Sequence, residues 1–152
     1  MGNYKHEILS AFLRCSDICE LMFDKKPYTE NDAKNLMYTQ IFPYLYKEEA
    51  QTAVLPYLCV EADISAIPTH TVKDMKLILW AYCHKDAMEY SAEGYSGTRV
   101  DILADMAERQ LRTCTRLGIG KLQLQSASYF LPADHYYGKE LVFSVPEFKI
   151  SR

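Results

Sequence analysis

The sequence predicts an α+β fold in the order α-β-β-α-β-β, a four-stranded, mainly antiparallel sheet packed against a central helix, behind an N-terminal helical extension. Three observations predict it. From Val72 to His84, Met75, Leu77, Leu79, Ala81 and Cys83 alternate with Ile78, Trp80 and Tyr82, so a strand here is apolar on both faces and belongs in the middle of a sheet. Val100, Leu103, Ala107, Leu111 and Cys114 recur at the spacing of one helix face. Beyond Gly118 and Gly120 the pattern returns to alternation over Leu122 to Phe130 and Glu140 to Ile150, which reads as two more strands. At 152 residues the chain is expected to be one domain, with residues 1–54 as the helical extension and an aromatic arm, and residues 55–152 as the core of sheet and helix.

The extension starts with a helix over Asn3 to Phe23, striped by Ile8, Phe12, Cys15, Cys19 and Met22, with Asn3 as its cap. Asp24-Lys25-Lys26-Pro27 ends it, because proline cannot donate the next helical hydrogen bond. Thr29 and Asp32 form a capping pair for a shorter helix with Ala33, Leu36 and Met37 on its apolar side. The segment Ile41 to Leu58 then presents Pro-Tyr-Leu twice, at Pro43 and at Pro56. Two readings stand: an aromatic arm that docks on a partner through Phe42, Tyr44, Tyr46 and Tyr57, or a proline-bounded connection folded back over its own core.

Leu58, Val60, Ala62 and Ile64 alternate with Glu61, Asp63 and Ser65, a half-exposed strand from Tyr57 to Ile67, and Pro68-Thr69-His70 makes the turn. After the central strand, Lys85 to Gly97 is polar and rich in small residues, a long exposed loop carrying Asp86, Glu89, Tyr90, Glu93 and Tyr95. Thr98 and Asp101 form a capping box for the central helix. Its outer face pairs Asp105 with Arg109 and Glu108 with Arg112, four residues apart. Pro132 to Gly138, with Asp134 and Gly138 as turn formers, joins the last two strands. Leu141, Phe143 and Val145 point inward on the final strand, and Pro146 marks it as a sheet edge.

Composition narrows the chemistry. Seventeen basic residues against twenty acidic ones, scattered and netting -3, give no footprint for gripping phosphates. No apolar run approaches the roughly 20 residues needed to cross a bilayer, and the polar start lacks the regions of a signal peptide, so the chain is expected to stay in the cytoplasm of the cell that makes it. The five cysteines, Cys15, Cys19, Cys59, Cys83 and Cys114, sit at apolar positions and read as buried free thiols without the spacing of a zinc site. His6, His70, His84 and His135 occur in no catalytic or metal-binding spacing and read as solvated loop residues. Cys83 and His84 are adjacent on a strand and point to opposite faces, which rules out a nucleophile paired with its base. Carboxylates cluster at Asp86, Glu89, Glu93, Asp101 and Asp105, of which a small metal-dependent nuclease would need two or three converging on magnesium; Asp101 and Asp105 share a helix face, but capping and pairing with Arg109 already account for them. Gly118-Ile119-Gly120 follows a helix instead of opening one, so it is no phosphate cradle.

Three stretches carry a likeness to a known family. They are Met75-Lys76-Leu77-Ile78-Leu79-Trp80-Ala81-Tyr82-Cys83-His84, Gly97-Thr98-Arg99-Val100-Asp101-Ile102-Leu103 at the start of the central helix, and Gly118-Ile119-Gly120-Lys121-Leu122-Gln123-Leu124 leading back into strand. From about Pro56 to Phe148 the arrangement resembles the tail terminator and tail completion proteins of long-tailed bacteriophages, on arrangement cues and no diagnostic motif. The resemblance implies a non-enzymatic, hexameric ring at the head-proximal end of the tail, with no catalytic residue, cofactor or metal. Its partners would be further copies of itself, the tail tube protein, and neck or head-completion proteins, with DNA passing through unbound and no membrane involved. It would be assembled in the host bacterial cytoplasm and carried in the virion. The arm residues Phe42, Tyr44, Tyr46 and Tyr57 and the loop residues Asp86, Glu89, Tyr90, Glu93 and Tyr95 are the expected contacts between subunits or with a partner. The N-terminal helices and the Pro-Tyr-Leu segment go beyond the family's minimal pattern. Rival readings are a head-closure or adaptor connector on the portal side, the nuclease, and a cytoplasmic protein-binding module.

Overall fold

Val72–His84 is the spine of the molecule, a strand paired along both of its sides. The computed structural model describes residues 2–23, 29–47, 52–66, 72–113 and 122–149. Its elements are α1 (Gly2–Arg14), α2 (Ser16–Phe23), α3 (Glu30–Lys34), β1 (Ile41–Phe42), β2 (Pro56–Ala66), β3 (Val72–His84), a 3-10 turn at Lys85–Ala87, α4 (Arg99–Thr113), β4 (Gln123–Ala133) and β5 (Tyr136–Lys149). The sheet has five strands in the order β1-β2-β3-β5-β4, one more than expected. The extra strand is β1, which runs parallel to β2 with Ile41 beside Leu58 and Phe42 beside Cys59. Two residues are too few to show alternation, so a sequence pattern cannot reveal them.

The two faces of β3 fall as its alternation requires. Met75, Leu77, Leu79, Ala81 and Cys83 enter a core shared with Ile8 and Phe12 of α1, Leu21 of α2 and Leu103 of α4. Trp80 and Tyr82 enter a second cluster on the opposite face with Phe42, Tyr57, Cys59 and Tyr136. Helices cover one face of the sheet, while the aromatic residues of the arm lie against the other. Residues 1–54 therefore contribute both helices and a strand to the same packed body as the sheet.

Several elements differ from their sequence pattern. The long N-terminal helix is two helices, because the Cys15 N–H bonds to the Phe12 carbonyl three residues back, at 3.1 Å, and the helical ladder stops there. The apolar stripe continues across the break, so the pattern alone reads as one helix. α1 begins at Gly2, which puts Asn3 inside its first turn and not at the cap. The capping pair at Thr29 and Asp32 is present in full, with each side chain accepting from the other's backbone N–H. At α4 the Asp101 N–H donates to Thr98 Oγ1 at 3.2 Å, while the Asp101 carboxylate turns to Lys139 Nζ at 3.1 Å. Glu108 and Arg112 pair at 3.4 Å, whereas Arg109, expected to meet Asp105, reaches Tyr95.

The final hairpin is tighter than expected. Its turn is Asp134 and His135 alone, with His135 at φ 70°, and Gly138 lies inside β5. Tyr136, only 1% exposed, is drawn into the second cluster and extends the strand back to the turn. Nor is β5 the sheet edge. It sits between β3 and β4, and Pro146 falls where the β3–β5 register shifts and beyond the last β4 pair, Gln123 with Ser144. The ladder demands no N–H there. The helix stop at Asp24 to Pro27, the turn at Pro68 to His70, Cys114, and the turn at Gly118 and Gly120 lie outside the described residues. No described helix is long and apolar enough to cross a membrane.

Candidate functional site

The residues expected at an interface fall on opposite faces of the sheet. On the helix-free face the arm is turned onto its own protein. Phe42 stacks on Tyr46 with ring centroids 4.1 Å apart, Tyr57 stacks on Tyr82 at 5.0 Å, and Tyr136 meets Tyr82 edge-on at 6.0 Å. The Tyr82 hydroxyl donates to the Tyr46 carbonyl, and the Tyr136 hydroxyl donates to the Ala53 carbonyl at 2.7 Å. Phe42 and Tyr57 are 3% and 2% exposed, so of the four arm residues only Tyr44 stands out into solvent, at 45%. This geometry is the connection folded back over its own core.

On the helical face, the 85–97 loop is tied down at several points. The Arg99 guanidinium is buried beneath it, donating from Nε to the Ala87 carbonyl at 2.6 Å and from Nη1 to the Leu21 carbonyl at 2.5 Å, with the Tyr90 ring 4.6 Å away. The Tyr95 hydroxyl donates to Asp17 at 2.9 Å and accepts from Arg109 at 3.1 Å. Bridges at Glu89 with Thr98 and Ala92 with Tyr95 fold the loop upon itself. Tyr90 and Tyr95 are half-buried as a result, while Asp86, Glu89 and Glu93 are exposed. The loop thus presents an acidic outer surface on an aromatic base.

A third surface went unread in the sequence. Among the described residues α4 packs chiefly over β3 and β5, and β4 is an edge strand exposed from Gln123 to Tyr129. Tyr129 is 89% exposed and Leu131 66%. Together with Tyr137 they wall an open hollow of about 450 Å³ against Val100 at the start of α4 and Met88 of the 85–97 loop, with Lys85, Lys139 and Asp101 also lining it. The other end of the sheet is treated differently. β1 is two buried residues, and the Tyr38 N–H closes on the Ile41 carbonyl at 2.9 Å. One signal for the bare edge was present in the sequence: Gln123 to Ala133 contains no charged residue, whereas exposed edges usually carry charge.

The groups able to do acid-base or metal chemistry are dispersed. His84 is buried, not solvated, at the end of β3, where its Nδ1 accepts from the Asp86 N–H at 3.1 Å and its ring meets Tyr136 edge-on at 5.2 Å. His6 and His135 are exposed. Among the described residues no three His, Cys, Asp or Glu side chains converge as a metal site would need. Cys19, Cys59 and Cys83 are buried thiols in no disulfide, and Cys15 is half-buried. Burial pushes the Cys59 thiol from an ordinary 9.0 up to about 11. Because the folded value is the higher one, the associated stability is complete below pH 9 and is lost as pH rises through about 11. Burial also raises the Tyr82 hydroxyl, in the same sense. Thermal melts are therefore expected to fall between pH 9 and 11, and Cys59 is expected to resist a thiol reagent at pH 8 until the protein is unfolded in urea.

With this geometry in hand, the comparison that bears on it is a family model, YomW, which matches residues 16–145. The chain belongs to the YomW family. The match begins at α2 and ends within β5, so it takes in β1 to β4, most of β5, the 85–97 loop and the β4 edge of this YomW-family protein. The name is of the SPbeta prophage type and fits a bacteriophage origin. No curated protein matches the chain.

Proposed function

We propose that this YomW-family protein is a structural component of a bacteriophage virion, acting in a ring at the head-proximal end of the tail, where it terminates the tail tube and joins it to the neck. The observation that carries the reading is the family match, with its prophage-type name, over a fold whose core has the expected strand-strand-helix-strand-strand order. The surfaces suit such a role. A subunit of a joint needs separate faces for its neighbours, the tube and the neck, and this chain offers an acidic loop with Asp86, Glu89 and Glu93 and, on the opposite face of the sheet, a half-exposed Tyr44. Tyr90 and Tyr95 act by holding the loop in shape, and Phe42, Tyr46 and Tyr57 act by building the wall behind the sheet.

Deleting the gene from the phage or prophage that carries it and imaging the induced particles tests the proposal. Filled heads without tails, together with free tails of irregular length, are the expected result. Normal joined virions would overturn it. Free tails of uniform length would instead indicate a head-closure or adaptor protein on the portal side.

A further inference from the structure

Beyond this role, the geometry points to β4 as a docking strand for a second copy of this chain, the two β4 strands pairing antiparallel about a two-fold axis. Among the described residues no strand pairs with the outer side of β4, so backbone donors and acceptors face outward along Ser126–Phe130, the regular stretch between its two register shifts. Charge selects the occupant. The strand bears no charged residue in a chain that is 24% charged, so it offers nothing to an acidic or basic partner and does not repel its own copy. Side-chain size agrees. With the axis at Ser128, Tyr129 faces Ala127 of the second copy on the helical face, and Phe130 faces its Ser126 on the other, so each large ring meets a small residue. Tyr129 then leaves solvent, and the hollow beside Val100 is roofed by the second copy.

A two-fold contact of this kind is distinct from the rotational contact that closes a ring, so the inference does not rest on the functional proposal. Ser128 is exposed, and replacing it leaves the core untouched. The experiment compares wild type, Ser128→Lys, Ser128→Glu and an equal mixture of the two variants by analytical ultracentrifugation at micromolar concentration, with circular dichroism melts confirming that each is folded. The wild type is expected to dimerise, each variant alone to bind itself about tenfold more weakly or worse, and the mixture to recover the dimer. A monomeric wild type would overturn the inference and leave the edge to a strand of a different protein. Unchanged association of the lysine variant, or a mixture that stays monomeric, would overturn the placement of Ser128 on the axis.

Discussion

Replacing Gly138 with alanine is expected to cost about 2–3 kcal/mol of stability, and valine more, because the space a side chain would occupy is already filled. Gly138 pairs with Tyr82 on one side and Phe130 on the other, and the rings of those two residues meet over it, 6.2 Å apart and tilted by 62°. A Cβ built there would fall on the Ala81 carbonyl oxygen and 2.6 Å from the Tyr82 Cβ. The first of these is backbone of the central strand, which cannot move without disturbing both its neighbours. The backbone at Gly138 is not in the left-handed region, so the requirement is for room and not for conformational freedom. Thermal denaturation is the measurement, with a fall of about 5–10 °C expected for alanine. A variant that melts with the wild type would mean that a methyl group fits between β3 and β5 at this position.

Removing the guanidinium of Arg99 is expected to be at least as costly. Arg99 is 3% exposed and satisfies the carbonyls of Ala87 and Leu21, which come from the loop after β3 and from α2. Truncation to alanine leaves both acceptors buried and opens a gap under Tyr90, for an expected loss of about 3–5 kcal/mol in urea denaturation. Lysine keeps the charge but lacks the fork that reaches two carbonyls at once, so it is expected to recover only part of the loss. The 85–97 loop should also loosen, and cleavage after Glu89 and Glu93 by a glutamate-specific protease is expected to quicken well before global unfolding. Protection equal to the wild type would mean that the bridges within the loop hold it without Arg99.

The contrast between these two residues and β3 shows what a sequence displays. β3 was legible to the residue, since a strand apolar on both faces has no other place than the interior of a sheet. The Thr29 capping pair and the stripe of α4 were legible for the same reason, that the cause is local and periodic. Gly138 read as a turn former because glycine is common in turns, and only the neighbouring strand reveals it as a slot for two rings. Arg99 read as part of a helix start, and its burial depends on α2, far away in the chain. At the candidate site, the tyrosines of the arm were visible but not the direction they face, since a Pro-Tyr-Leu segment docks equally well inward or outward. The bare β4 edge depends on where α4 lies over the sheet, a tertiary fact with no local pattern apart from the missing charges.

The placement of β5 between β3 and β4 bears on how the molecule is made. A ribosome releases β3 long before the strand that belongs beside it, so for the whole interval one flank of the central strand, flat and apolar above and below, waits without its companion. Nascent chains of this protein are thus exposed to misassociation until β5 threads into its slot, and a chaperone bound over that interval is expected to raise the yield of native product.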